Sequence, residues 1–142
     1  MKLRFFKETP ARLPISRIKK LFEGITTREA RRPAKGTVNL VITDDRNIRS
    51  LNRKFRKKDR ATDVLSFNLE DADKDDTVFG EIYISAETAR RQAAEYATSL
   101  NDEYVRLVCH GLLHLFGFDH EKKNDEKIMR AREEKYLKKV RR

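Results

Sequence analysis

Residues 104–116 read Y-V-R-L-V-C-H-G-L-L-H-L-F, and nearly every position round the circumference is apolar. A helix that is apolar almost all round belongs inside a protein, so this stretch predicts a central buried helix on which the other elements pack. It carries His110 and His114, four residues apart and therefore on one helical face. Gly117 marks the point where the helix ends and the chain turns back. His120 follows, and the three histidines of the whole chain all fall between positions 110 and 120. Burying imidazoles without partners is costly. Three imidazoles aimed at one point, with a fourth position open, form the ligand set of a catalytic zinc site.

The spacing H-x3-H-x5-H, with glycine third after the second histidine, is the ligand spacing of the metzincin proteases, H-E-x-x-H-x-x-G-x-x-H. One position departs from it. Gly111 stands where a zinc protease has the glutamate that activates water. The metal site survives in the pattern and the protease does not. One zinc per chain is the first expectation from all-imidazole ligation; nickel, copper or cobalt would also bind such a set. Asp119 either orients a ligand or caps the last helix. Cys109 reads as a core residue rather than a fourth ligand.

Outward from this helix, strand and helix signals follow in the order β-α-β-α-β-β-α-α-α. Residues 2–7 alternate weakly, as a short edge strand does. Ile15, Ile18, Leu21, Phe22 and Ile25 form a helical stripe, and 27–36 reads as its end and a loop. Residues 37–43 are a strand by β-branched content. Thr43 or Asp44 caps the next helix, with Ile48, Leu51 and Phe55 as its apolar stripe. Positions 46–60 hold eight arginines and lysines against Asp59 alone, a net of +7. Such a run is either a solvated face or one turned to phosphates. Residues 62–69 and 78–85 read as a hairpin, with the acidic stretch 70–76 as its exposed loop and Gly80 as a bulge or close approach. A helix starts at Ser85 and reaches about Ala97. Residues 99–102 are a break and a new cap. Asn124 or Asp125 caps a last helix whose inner positions are Ile128, Met129, Tyr136, Leu137 and Val140. The expected architecture is α/β of the mixed α+β kind: one domain over residues 1–142, with a small mixed sheet of about four strands packed against about five helices.

The chain has 33 Lys and Arg against 23 Asp and Glu, a net charge of +10. Such a field favours a polyanionic partner, nucleic acid above all. With one cysteine no internal disulfide forms, which fits a reducing cytoplasm. The N-terminus is too charged for a signal peptide, and no apolar run is long enough for a membrane span.

Three blocks carry a family resemblance. The stretch from His110 to His120, H-G-L-L-H-L-F-G-F-D-H, resembles the H-G-x-L-H-L-x-G-Y-D-H signature of the YbeY family, with Phe118 at the usual tyrosine. Residues 51–67, L-N-R-K-F-R-K-K-D-R-A-T-D-V-L-S-F, resemble its L-N-x-x-[YF]-R-x-x-D-x-x-T-D-V-L-S-F block. G-E-I-Y-I-S at 80–85 resembles its G-[DE]-I-x-I-S strand. The first 35 residues and the last helix carry no matching motif. The resemblance implies a small α/β fold and a single-strand-specific, metal-dependent endoribonuclease. It implies a role in ribosomal RNA maturation, notably at the 3′ end of small-subunit RNA, and in ribosome quality control. By that likeness His110, His114 and His120 hold one zinc, and Arg56 matches the functional arginine near the metal cleft.

The expected chemistry is metal-assisted phosphodiester cleavage, with Arg56 on the scissile phosphate. Arg53, Lys54, Lys57 and Lys58 would track single-stranded RNA. Glu81 and Asp119 are candidate general bases by chemistry alone. Ribosomal RNA or the small ribosomal subunit is the expected partner. Two other readings stay open: a non-catalytic ribosome assembly factor with a structural zinc, and a zinc hydrolase of another bond such as an amide.

Overall fold

A computed structural model gives the structure and describes residues 1–29, 35–69, 78–118 and 123–141. In chain order its elements are β1 (Lys2–Lys7), α1 (Ile15–Glu29), β2 (Thr37–Thr43), α2 (Asp45–Arg56), β3 (Val64–Asn68), β4 (Val78–Ser85), α3 (Ala86–Glu95), α4 (Leu100–Leu115) and α5 (Lys123–Lys138). The order is the expected one, and the class is α/β. The sheet runs β1-β2-β4-β3. β1 and β4 both lie parallel to β2, and β3 returns antiparallel to β4.

Strand residues alternate between faces, and here the alternation selects which residues meet α4. Val38, Leu40 and Ile42 of β2 stand beside Gly80, Ile82 and Ile84 of β4, all buried. α4 lies on this face, as the all-round apolar pattern requires. A methyl group on Gly111 would sit 2.8 Å from Ile82 Cγ2, and one on Gly80 would sit 2.7 Å from Leu115 Cδ2. Helix and sheet therefore touch through two glycines. Gly80 is also next to an irregularity: the β2–β4 register shifts between Thr37 and Val38, so Phe79 is the extra residue. Both expectations for Gly80 hold.

α4 is closed at both ends by local chemistry. The Asp102 N–H donates to the Ser99 side chain at 3.0 Å. At the other end Gly117 takes φ +96°. The Gly117 N–H reaches the His114 carbonyl at 3.1 Å and the Phe118 N–H reaches Leu113 at 3.0 Å, a Schellman closure. α1, α3 and α5 pack round the rest of α4, with Ile18, Leu21, Phe22 and Ile25 of α1 buried as the stripe foretold.

Several expectations needed correction. In α2, Ile48 is buried but Phe55 is 58% exposed, and Asn52 takes the inner position. The α2 helix ends at Arg56, where Lys57 adopts φ 56°. The basic run is thus half helix and half loop. α3 stops at Glu95, and Ala97 takes φ 52°. α5 already contains Lys123, so Asn124 and Asp125 lie in its first turn rather than capping it. Ile128 is 46% exposed, whereas Met129, Tyr136 and Val140 are buried. The acidic stretch 70–76 lies outside the described residues. Among those described, no helix is long and apolar enough to cross a membrane.

Asp44 caps α2, accepting the Asn47 N–H at 2.9 Å. Asp45 then ties three elements together. Its carboxylate accepts from the Ser85 and Thr88 hydroxyls and from Arg91 at 2.8 Å. Burial alone would raise its pKa, but these hydrogen bonds and the Arg91 charge hold it below the ordinary 3.8. A depressed folded-state pKa contributes stability above the unfolded value, and that contribution is lost as pH falls through the folded one. Urea denaturation should therefore find Asp45→Asn less stable than wild type at pH 7. The gap should narrow as pH drops below about 4. By the same assay Gly111→Ala should cost about 1–3 kcal/mol, because its methyl group overpacks Ile82.

Candidate active site

β3 is an edge strand among the described residues, and the site is built round its outer edge. α4 crosses one face. α2 lies against the other, where Phe55 meets Phe67 with ring centroids 5.5 Å apart. A cleft of about 480 Å³ opens along this edge. Arg56, Lys58 and Arg60 line it from α2 and the loop beyond, and His110 and His114 line it from α4.

The helix rotation explains how α4 reaches the cleft. Gly111 faces Ile82 directly. At about 100° per residue, His110 and His114 then stand roughly 60–100° to one side, toward the strand edge. Both are half-buried. Their Nε2 atoms are 3.1 Å apart, and the rings meet edge to face with centroids at 4.7 Å. His110 Nδ1 lies 2.6 Å from a Glu133 carboxylate oxygen. A carboxylate only accepts, so Nδ1 carries the hydrogen, and in the neutral ring that leaves the lone pair on Nε2.

The rotation also accounts for Gly111. A side chain there would run into the sheet and not into the cleft, so the protease glutamate has no place on this helix. Cys109 is fully buried. Burial, with the Glu133 charge nearby, pushes its pKa up to about 12, and it does not line the cleft.

Arg56 donates to the Ser66 carbonyl at 2.6 Å, and its guanidinium sits 5.4 Å from the Phe67 ring centroid. The Ser66 hydroxyl donates to the Gly111 carbonyl at 3.1 Å. One residue of β3 thus holds both halves of the site. Asn68 adds a second clamp, donating to the Leu115 carbonyl at 2.9 Å. Buried Asn52 shapes the loop under Lys58 and Arg60. Its side chain donates to the Arg60 carbonyl at 3.0 Å, and its own carbonyl accepts the Lys58 N–H at 3.2 Å.

The structure brings together Arg56, Lys58, His110 and His114. Arg53, Lys54 and Lys57 are exposed and do not line the cleft. Arg49 is paired with Asp59 at 2.8 Å. Glu81 is on the sheet face opposite α4, accepting from Asn39 at 3.2 Å and Tyr83 at 3.1 Å. His120 and Asp119 lie outside the described residues. Asp63 also lines the cleft, and its carboxylate accepts the Val64 N–H at 2.8 Å and stands 3.8 Å from Arg106.

The endoribonuclease YbeY family model matches residues 5–141. The chain belongs to the YbeY family. A YbeY endoribonuclease of Carboxydothermus hydrogenoformans is 50% identical over 102 residues, spanning 72% of this chain and 71% of that protein. One from a Sulfurovum species is 40% identical over 134 residues, 92% of this chain and 84% of that protein. A solution structure from Thermotoga maritima superposes with a TM-score of 0.66 at 32% identity, covering 97% of this chain and 88% of the other.

Two site residues of this YbeY chain escaped the sequence reading. Asn52 falls four after Ile48, on the inward side of a helix whose other faces are basic. Glu133 was hidden in the Glu-Glu pair of α5. Its signal was position: 129, 133, 136 and 140 make one helical stripe, apolar everywhere except at the glutamate. Asn52→Ala should lower the unfolding free energy by about 1–3 kcal/mol in urea denaturation, since it strips a buried amide and frees the loop after α2.

Proposed function

We propose that this protein is an endoribonuclease that cuts single-stranded RNA in the cleft beside β3, with one zinc held by His110, His114 and His120. The observation that carries this reading is the meeting of two chemistries in one cleft, imidazole nitrogens from α4 and guanidinium and ammonium groups from α2 and its loop. The donor set suits the metal. Two nitrogens on one tetrahedral zinc stand roughly 3.3 Å apart at the usual bond length, close to the 3.1 Å between the two Nε2 atoms. The Glu133 contact engages Nδ1 of His110, and Nε2 is the atom that faces His114.

Bound zinc supplies Lewis-acid stabilisation of charge on phosphoryl oxygens. Arg56 provides the fixed positive charge beside it. Its guanidinium has five donors. The bond to Ser66 orients the group and leaves others for phosphate oxygens. Lys58 and Arg60 line the same wall and draw the backbone in. The cleft follows a strand edge instead of presenting a broad surface, which suits an unpaired strand. Net charge and family together extend the proposal to ribosomal RNA, at the 3′ end of small-subunit RNA, with the small ribosomal subunit as partner in the cytoplasm and ribosome quality control as a further role.

Zinc content and cleavage of single-stranded RNA, measured on three proteins, test this. Wild type should carry about one zinc and cut. His114→Ala should lose both metal and cleavage. Arg56→Ala should keep its zinc and lose about 10²–10³ in rate. Its RNA affinity should show a log–log salt slope shallower by about 0.7. A His114→Ala protein with full cleavage activity would sink the reading.

A further inference from the structure

We propose that Glu133 is the positioning residue of the metal centre: its carboxylate fixes the His110 ring so that Nε2, and not Nδ1, faces the ion. The proposal rests on the zinc reading of His110 and His114. It adds a residue from the last helix, outside the three motif blocks.

The contact is direct, at 2.6 Å between His110 Nδ1 and Glu133 Oε1. Both side chains are largely shielded, with His110 24% and Glu133 17% exposed. Partial drying strengthens a charge-assisted bond. The result is a single tautomer and a single ring orientation. A neutral imidazole with its hydrogen on Nδ1 offers only Nε2 to a metal, and Nε2 is the atom that stands 3.1 Å from its counterpart on His114. The carboxylate also makes Nε2 a stronger donor. Without it, the ring loses the acceptor that keeps its hydrogen on Nδ1, and any state with the hydrogen on Nε2 must be undone before the ion binds.

α5 has anchors other than Glu133. Met129 and Tyr136 are buried against the core. The Tyr136 hydroxyl donates to Glu29 of α1, and Arg132 reaches the same carboxylate at 3.2 Å. The helix thus arrives at α4 by its own anchors and delivers the glutamate to the ring. The next residue shows the contrast. Glu134 is exposed and pairs with Arg141 at 3.3 Å.

Two measurements test the proposal on the full chain: the zinc dissociation constant by competition with a chromogenic chelator, and the His110 tautomer in metal-free protein by nitrogen-15 NMR. Glu133→Ala should weaken zinc binding about 10- to 100-fold and mix the tautomers. Glu133→Gln keeps an acceptor and the shape but loses the charge. It should hold the Nδ1–H tautomer and bind zinc with intermediate affinity, and it serves if the alanine variant folds poorly. Arg132→Ala loosens an α5 anchor without touching His110, so it should lower the unfolding midpoint and leave the zinc constant unchanged, as should Glu134→Ala for the zinc constant. Wild-type zinc affinity with an unmixed tautomer in Glu133→Ala overturns the proposal and leaves the metal reading intact. Wild-type protein that takes up no zinc overturns both.

Discussion

The closeness of α4 to the sheet is the constraint on which the rest depends. Gly111 meets Ile82 and Gly80 meets Leu115 with no room for a methyl group at either. Such an approach fixes more than a distance. With Gly111 turned to the sheet, the 3.6-residue repeat leaves one direction for His110 and His114, out along the β3 edge. It also turns Cys109 inward among the helices, where it is buried as core. One close contact therefore sorts three neighbouring polar side chains into two that can act and one that cannot.

The second half of the site comes from the other side of the sheet, and Ser66 is the joint. Its carbonyl takes Arg56 and its hydroxyl takes the Gly111 carbonyl. Because β3 pairs with β4 alone among the described residues, groups from both faces can converge along its outer edge. An interior strand would have kept the two helices apart. The cost of an open edge is exposure to unwanted pairing. Here the edge is flanked by basic side chains on one side and imidazoles on the other.

Much of this was legible in the residues. The element order followed from periodicity, because β2 and β4 alternate and α4 does not. The caps at Asp44, Ser85 and Ser99 and the stop at Gly117 are local devices that act within a turn of the chain. The histidine spacing placed two imidazoles on one face. Where the reading erred, tertiary packing had overruled local pattern. Phe55 fits an apolar stripe, yet it stays largely exposed against the Phe67 ring while Asn52 fills the inner place, because the loop after α2 needs its carbonyls and N–H groups satisfied. Ile128 sits outside for a similar reason, since α5 is oriented by Tyr136, Arg132 and their bond to Glu29.

What the sequence by itself determined was the set of elements, the ends of α4 and the donor chemistry of the histidines, since periodicity, capping and side-chain type act over a few residues. What only the tertiary structure decided was company. Arg56 and His114 in one cleft, Glu133 on His110 and Glu81 away on the far face each join positions at least 20 residues apart or split positions that spacing alone treats alike. Their relation is set by which face of a strand or helix packs inward. That choice is made by the whole core, and no local stretch of chain contains it.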